Sequence, residues 1–143
     1  MRHKRLEERP RTYALIFETG DELAAGLKRF AREQKLGGSS FTAIGAFSRV
    51  KLGWFHWETK RYETSVDLDE QVELLSLIGD IAVKDGEPQV HAHVVIGRRD
   101  GTAHGGHLQE GVVRPTCEVI LTESPERLQK EMDQESGLAL IRV

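Results

Sequence analysis

The chain has 143 residues, of which 38% are hydrophobic and 30% are charged, and this length and composition fit one globular domain. It has no apolar run long enough to cross a membrane, and its basic start is not followed by the apolar core of a signal peptide. The net charge of −3 argues against broad electrostatic capture of nucleic acid, which needs many Lys and Arg contacts to phosphate. Because the lone Cys117 cannot form an internal disulfide, we expect a cytoplasmic protein.

Residues 1–11 form a basic segment that we expect to be a flexible terminus, with a nucleic-acid-binding arm as the alternative. Two glutamates interrupt its positive charges, which are Arg2, Lys4, Arg5, Arg9 and Arg11. Chain ends are commonly frayed and solvated unless other contacts hold them. Residues 12–143 are then predicted to form a single domain.

The first predicted elements are a strand over residues 13–18 and a helix over residues 22–34. The strand is short and apolar, and Gly20-Asp21 then supplies a turn with an N-cap candidate. In the helix, apolar residues recur at helical spacing until Gly37-Gly38 ends the pattern. Three further strands are predicted at residues 41–47, 50–57 and 62–68.

Two Asp-Gly pairs predict a three-stranded meander in the second half of the chain. Asp85-Gly86 and Asp100-Gly101 each lie between β-rich segments, which is a strong hairpin signal. The predicted strands cover residues 72–83, 89–97 and 102–113.

The remaining residues are predicted to form a strand, a second helix and a closing strand. The strand covers residues 116–122, and Ser124-Pro125-Glu126 then has the N-cap and first-turn residues of a helix that ends at Gly137. Residues 138–143 close the chain as a strand. The prediction is therefore a single α+β domain with a mainly antiparallel, barrel-like sheet flanked by two helices.

Two histidines on one predicted strand are the most informative residues for function. His91 and His93 are separated by one residue, and alternate residues of a strand share a face, so their positions lie about 6.6 Å apart on one face. Such a pair can present two imidazole nitrogens to one metal ion, or can be satisfied within the protein without any ion. A third ligand is needed to favour the metal.

The candidates for the third ligand are His104 and His107 on the next strand. A two-residue Asp100-Gly101 loop pairs positions whose numbers sum to about 201, which turns His107 away from His93. In that register His104 shares the face of the pair but lies about 13 Å further along the strand.

A glycine bulge would bring His107 to the other two histidines. An extra residue at Gly105-Gly106 reverses the alternation beyond it and aims His107 toward His93. We therefore predict His107 as the third ligand and His104 as a residue at the rim.

Three histidines with an open position are typical of a catalytic zinc site, because structural zinc sites are normally closed by four protein ligands. Zinc is the default ion, and nickel, manganese or iron also accept imidazole ligands. Glu118, on the following strand, and Glu73, on the preceding strand, are candidates for a fourth ligand, an orienting group or a general base. Glutamates in such positions are more often solvated carboxylates on a strand.

Several segments, taken in order, resemble the plants-and-prokaryotes conserved (PPC) domain family over nearly the whole chain. They are Glu73-Leu74-Leu75-Ser76-Leu77-Ile78-Gly79, His91-Ala92-His93-Val94, Asp100-Gly101, Gly105-Gly106-His107-Leu108 and Pro115-Thr116-Cys117-Glu118-Val119. The resemblance implies a compact antiparallel sheet flanked by helices, assembly as a homotrimer, and a metal site at the histidines in this branch of the family.

The resemblance also implies two possible activities. In plants the domain accompanies AT-hook DNA-binding segments, and prokaryotic members are often called DNA-binding proteins by this association, although this chain has no Arg-Gly-Arg-Pro hook. Acetolactate decarboxylase, a zinc enzyme, has a similar His-x-His strand followed by Gly-Gly-His, with a shorter interval than the one from His93 to His107 here.

The leading interpretation is a metal-binding homotrimer with a small-molecule lyase or hydrolase activity. In this interpretation the ion polarises a carbonyl or activates a water, and Glu118 transfers protons. The alternatives are a DNA-binding or regulatory module without enzymatic activity, and a scaffold trimer that binds a partner protein.

Overall fold

The structure is a computed structural model that describes residues 1–8 and 10–142, with the backbone alone for residues 2–8. Within these residues the chain forms one helix and one nine-stranded sheet. The strands are β1 (Arg2–Glu8), β2 (Arg11–Glu18), β3 (Gly38–His56), β4 (Arg61–Leu68), β5 (Val72–Lys84), β6 (Glu87–Gly97), β7 (Ala103–Glu123), β8 (Gln129–Met132) and β9 (Ala139–Arg142), and the helix α1 is Leu23–Gln34.

The sheet is built around the long strands β3, β5 and β7. Strand β7 pairs with β2, β3 and β6, and β5 pairs with β3 and β6, always antiparallel. The exception among the described pairs is a short parallel contact between β5 and β8. The prediction of one mainly antiparallel domain is confirmed. The sheet is not a closed barrel, because its strand order runs from β1 at one end to β9 at the other.

Two long strands replace four shorter predicted ones. Strand β3 (Gly38–His56) takes the place of the strands predicted at residues 41–47 and 50–57, and β7 (Ala103–Glu123) takes the place of those predicted at residues 102–113 and 116–122. The β3–β7 pairing shifts register near the predicted breaks. A shift of this kind bends a strand without ending it, which explains why the predicted breaks became irregularities inside single strands.

Helix α1 lies where a helix was predicted, over residues 22–34, and it packs on one side of the sheet. The side chain of Glu22, rather than that of Asp21, accepts hydrogen bonds from the first-turn N–H groups, and Lys35 ends the helix in the left-handed conformation. Amphipathic spacing places one face of the helix in the core. Its buried residues are Leu23, Gly26, Leu27, Phe30 and Ala31.

The prediction of a second helix over residues 124–137 is wrong. Ser124 does accept a hydrogen bond from the N–H of Glu126, at 3.2 Å, but the chain then forms the antiparallel hairpin of β8 and β9. The backbone N–H of Leu128 donates to Gly37, and its carbonyl accepts from Val83, both at 2.8 Å. Tertiary pairing therefore outweighs local helix signals here. The closing strand predicted over residues 138–143 is present as β9 within the described residues.

The start of the chain has regular structure, although residues 1–11 were expected to be a flexible terminus. Strand β1 pairs antiparallel with β2, and the terminal amino group of Met1 lies 3.2 Å from a carboxylate oxygen of Asp21. Arg9, part of the predicted basic segment, lies outside the described residues.

Across the part of the chain that the structure covers, no helix has the length and apolar character needed to span a membrane.

Candidate metal centre

The pairing of β6 with β7 sets the positions of the histidines. His93 lies directly opposite His107, and the pairing continues without a register shift to Gly97 opposite Ala103. Residues 98–102 therefore form the connection, instead of a two-residue Asp100-Gly101 loop. The predicted glycine bulge at Gly105-Gly106 is wrong, because this longer loop already moves the register by one residue and sets His107 beside His93.

His104 lies apart from this group. It pairs with Ile96, and it is three residues from His107 in the same strand. An odd separation places the two side chains on opposite faces of β7. The structure thus brings together His91, His93 and His107 and leaves His104 outside, as the sequence predicted, although for a different reason.

The three imidazole rings converge on one small volume. One ring nitrogen from each of His91, His93 and His107 lies within 4.8 Å of the other two. The Nε2 atoms of His91 and His93 are 3.2 Å apart. Nitrogens that bind one zinc ion tetrahedrally lie roughly 3.4 Å from each other, which follows from bonds of about 2.1 Å. The spacing therefore fits a shared ion after small ring rotations.

An unsatisfied nitrogen supports the same fit. Nδ1 of His107 is buried and has no hydrogen-bond partner within the described residues. A buried polar atom without a partner costs free energy, so such atoms are rare in native proteins. Imidazole nitrogens are also the donors that zinc prefers. The residues present fit a divalent transition metal.

The protein environment favours neutral imidazoles at two of these positions. Burial lowers the pKa of His107 to about 4, and the nearby positive charges of His91, His93 and Lys130 act in the same direction. Burial also lowers the pKa of His93, again with the charge of His91. Neutral histidine is the form that binds metal ions.

A carboxylate and a lysine lie behind His91. Asp80 is paired with His91 across β5 and β6, and its Oδ2 lies 3.3 Å from His91 Nδ1. Its Oδ1 lies 3.1 Å from the Nζ of Lys130, whose side chain is only 7% exposed. A carboxylate beside Nδ1 holds the proton on that nitrogen and leaves Nε2 free to bind a metal.

The charge of Asp80 is stabilised where it lies. Burial by itself raises the pKa of Asp80, but the close contacts with His91 and Lys130 and the charges of these groups outweigh it and lower the pKa below its ordinary value. The carboxylate is therefore ionised at neutral pH. The position of Asp80 opposite His91 follows from the Asp85-Gly86 hairpin and could be predicted from the sequence. The contact of Lys130 with Asp80 could not, because Lys130 lies in the segment that was predicted to be a helix.

Glu118 and Glu73 do not join the histidines. Glu118 lies eleven residues further along β7, pairs with Ile16 and Ile44, and is exposed. Together with Glu73 it lines a different cavity, beside Pro115. The predicted role of Glu118 in proton transfer beside the metal is therefore not supported by its position.

A cavity of about 460 Å³ opens beside the histidines. Asp80 and Lys84 of β5 and His91 of β6 line one side, and Lys130 with residues 138–141 of the C-terminal hairpin lines another. Tyr62 of β4 also lines the cavity and stacks on His107, with 4.3 Å between ring centroids. The arrangement has room for a small molecule next to a metal ion.

The fold and the site together define a β-sheet domain with a candidate three-histidine metal centre. The Plants and Prokaryotes Conserved (PCC) domain family, also written PPC, matches residues 5–125. The chain belongs to this family, as the sequence resemblance indicated. The match ends before the β8–β9 hairpin.

Three solved structures are similar in both fold and sequence. The PPC protein of Pyrococcus horikoshii is 37% identical, covers 93% of this chain and 92% of that chain, and has a TM-score of 0.86. A metal-containing protein of Archaeoglobus fulgidus is 31% identical, with coverage of 98% and 99% and a TM-score of 0.86. A protein of Ralstonia eutropha, provisionally named as DNA-binding, is 27% identical, with coverage of 98% and 96% and a TM-score of 0.88.

A curated relative is much longer than this chain. The bifunctional protein GlmU of Synechococcus is 34% identical over 130 residues, which is 89% of this chain. The chain spans 20% of the length of that protein.

Proposed function

We propose that this chain is a metal-binding PCC-domain protein in which His91, His93 and His107 hold a divalent transition metal, with zinc as the default ion. The observation that carries the proposal is the convergence of three ring nitrogens, all within 4.8 Å, on the paired strands β6 and β7. The buried, partnerless Nδ1 of His107 supports it. The similar protein of Archaeoglobus fulgidus, named as metal-containing, supports it further.

The site supports a small-molecule lyase or hydrolase activity. A bound ion would supply Lewis-acid chemistry, which polarises carbonyl groups or activates water. Three protein ligands leave room in its coordination for a further group. Asp80 orients His91, Lys130 keeps Asp80 charged, and Tyr62 covers one face of His107. Lyase reactions are the first that we would assay.

Elemental analysis of untagged protein, purified without added metal, tests the proposal. We expect about one transition-metal ion per chain. Replacing His91, His93 or His107 by alanine should remove it, whereas His104→Ala, the matched control, should retain it because His104 lies outside the cluster. Metal-free parent protein that also fails to take up zinc would overturn the proposal, as would His107→Ala protein that keeps full metal content.

The second candidate function is a DNA-binding or regulatory module, which the provisionally named relative of Ralstonia eutropha favours. The net charge of −3 makes it the weaker candidate, because few phosphates can be neutralised. We expect at most weak DNA binding that disappears at physiological salt. Sequence-specific binding to short duplexes that resists salt would favour this function instead.

We also propose a homotrimer, supported by an apolar face on the outside of the sheet. This face is defined by exposed side chains of β3, β5, β6 and β7, namely Ile44, Leu75, Ile78, Val95 and Ile120. Thr42 pairs with both Ile78 and Ile120, so the face is continuous across three strands. Exposed apolar faces of this kind commonly mark protein interfaces.

A further inference from the structure

The cavity beside the histidines has a distribution of charge that indicates what kind of ligand it accepts. We propose that it binds a small organic molecule with an acidic group at each end, one on the metal ion and the other at Lys84. This inference rests on the proposed metal site, since the first acidic group needs the ion.

The histidine end of the cavity favours an anion once a metal is bound. Three neutral imidazoles add no negative charge to a divalent ion. Asp80 is the one carboxylate among the described residues that line the cavity, and it already contacts Lys130 and His91. The charge of the ion is therefore left without a compensating protein anion, and a ligand carboxylate would supply it.

The cavity also has a cation without an ion pair among the described residues, four residues along β5 from Asp80. Lys84 lines the cavity, is half-buried, and has no ion pair within the part of the chain that the structure describes. Its neighbour across the β5–β6 hairpin, Glu87, is instead bonded to Arg32 at 2.6 Å. A lysine ammonium in this position can hold a second acidic group as a point charge.

The distance between the two ends sets the size of the ligand. Asp80 and Lys84 are four residues apart on one face of β5, which corresponds to about 13 Å along the strand. The Lys84 side chain shortens this gap, so a short linear diacid can bridge it. Leu138 and Leu140 of the C-terminal hairpin also line the cavity and offer apolar surface to the carbon chain of such a molecule.

A series of acids of increasing length tests the inference on protein loaded with Co²⁺, whose visible spectrum reports ligand binding. The probes are acetate, malonate, succinate, glutarate and adipate. We expect at least one of the longer diacids to bind roughly fivefold or more tightly than acetate, as one partly exposed ion pair allows. Lys84→Gln should remove this advantage and leave acetate binding unchanged, while Lys84→Arg should keep most of it.

Lys28→Gln is the matched control, because it removes the same charge from α1 and Lys28 does not line the cavity. The Co²⁺ content of each variant reports whether the site is intact. If the parent protein takes up no Co²⁺, the proposed function fails and this inference fails with it. If Co²⁺ binds but all diacids bind like acetate, or if Lys84→Gln binds the preferred diacid unchanged, the inference alone is wrong.

Discussion

Among single residues, Asp80 orients the His91 ring, so that Nε2 of His91 faces the proposed metal ion. Oδ2 of Asp80 lies 3.3 Å from Nδ1 of His91. The other nitrogen of the His91 ring, Nε2, lies 3.2 Å from Nε2 of His93. Removing a carboxylate behind a ligand histidine typically weakens metal binding by about 10-fold to 100-fold, because the ring loses its orientation and part of its basicity. We expect this loss for Asp80→Asn, measured by competition with a coloured chelator. Asp69→Asn, at an exposed position, is the control, and equal affinities for the two variants would contradict the role of Asp80.

His107 gives the metal-free protein a dependence on pH. Its folded-state pKa is lowered to about 4, chiefly by burial, whereas an unfolded histidine titrates near about 6.5. Between these values the unfolded chain binds a proton that the folded protein does not. The contribution of His107 to the free energy of unfolding should therefore be fully present above about pH 6.5 and should decrease as the pH falls toward about 4.

Denaturant unfolding in the presence of a chelator at pH 7, 5.5 and 4.5 measures this effect. The difference in free energy of unfolding between the parent and His107→Gln isolates the contribution of this residue from other titrating groups. We expect the parent to lose more stability than the variant on acidification. Parallel pH profiles for the two proteins would contradict the prediction.

Among the elements, the contact between β3 and β7 explains a glycine beside the metal centre. A Cβ atom on Gly106 would lie 2.9 Å from the carbonyl oxygen of Gly53 and 3.1 Å from Cβ of Leu52. Gly106 is needed for this close approach of backbones, since there is no bulge between β6 and β7.

Gly106→Ala should therefore destabilise the protein by about 1–3 kcal/mol, the usual cost of overpacking. Gly105→Ala is the matched comparison and should cost less, because the nearest atom, the carbonyl oxygen of Val94, is 3.2 Å from its Cβ position. Urea unfolding of both variants gives the two values. A larger loss for Gly105→Ala would show that the β3 contact does not constrain this position.

For the molecule as a whole, the apolar face on the sheet predicts assembly. Ile78 is 67% exposed and Ile44 61%, and both belong to the face that the proposed homotrimer would cover. Light scattering should give three times the 16.1 kDa chain mass. Ile120→Lys should weaken the assembly by placing a charge in the interface, whereas Met132→Lys, outside the face, should not. A monomeric parent at micromolar concentration would contradict the prediction.

Much of the fold and part of the site could be predicted from local patterns. The spacing of apolar residues predicts α1, and the Asp85-Gly86 pair predicts the β5–β6 hairpin that sets Asp80 opposite His91. The spacing of His91 and His93 places them on one face for the same reason. These features depend on residues a few positions apart, whose geometry is set by backbone dihedral angles and strand alternation.

The sequence by itself thus determined the helix, most strands, the family and the pair His91 and His93. Only the tertiary structure decided how residues 98–102 set His107 beside that pair, because loop conformation fixes register and one residue reverses every face. It also decided that residues 129–142 form a hairpin, because the chain before it pairs with Gly37 and Val83. Lys130 reaches Asp80 through that hairpin, and contacts between residues so distant in sequence depend on packing that no local pattern specifies.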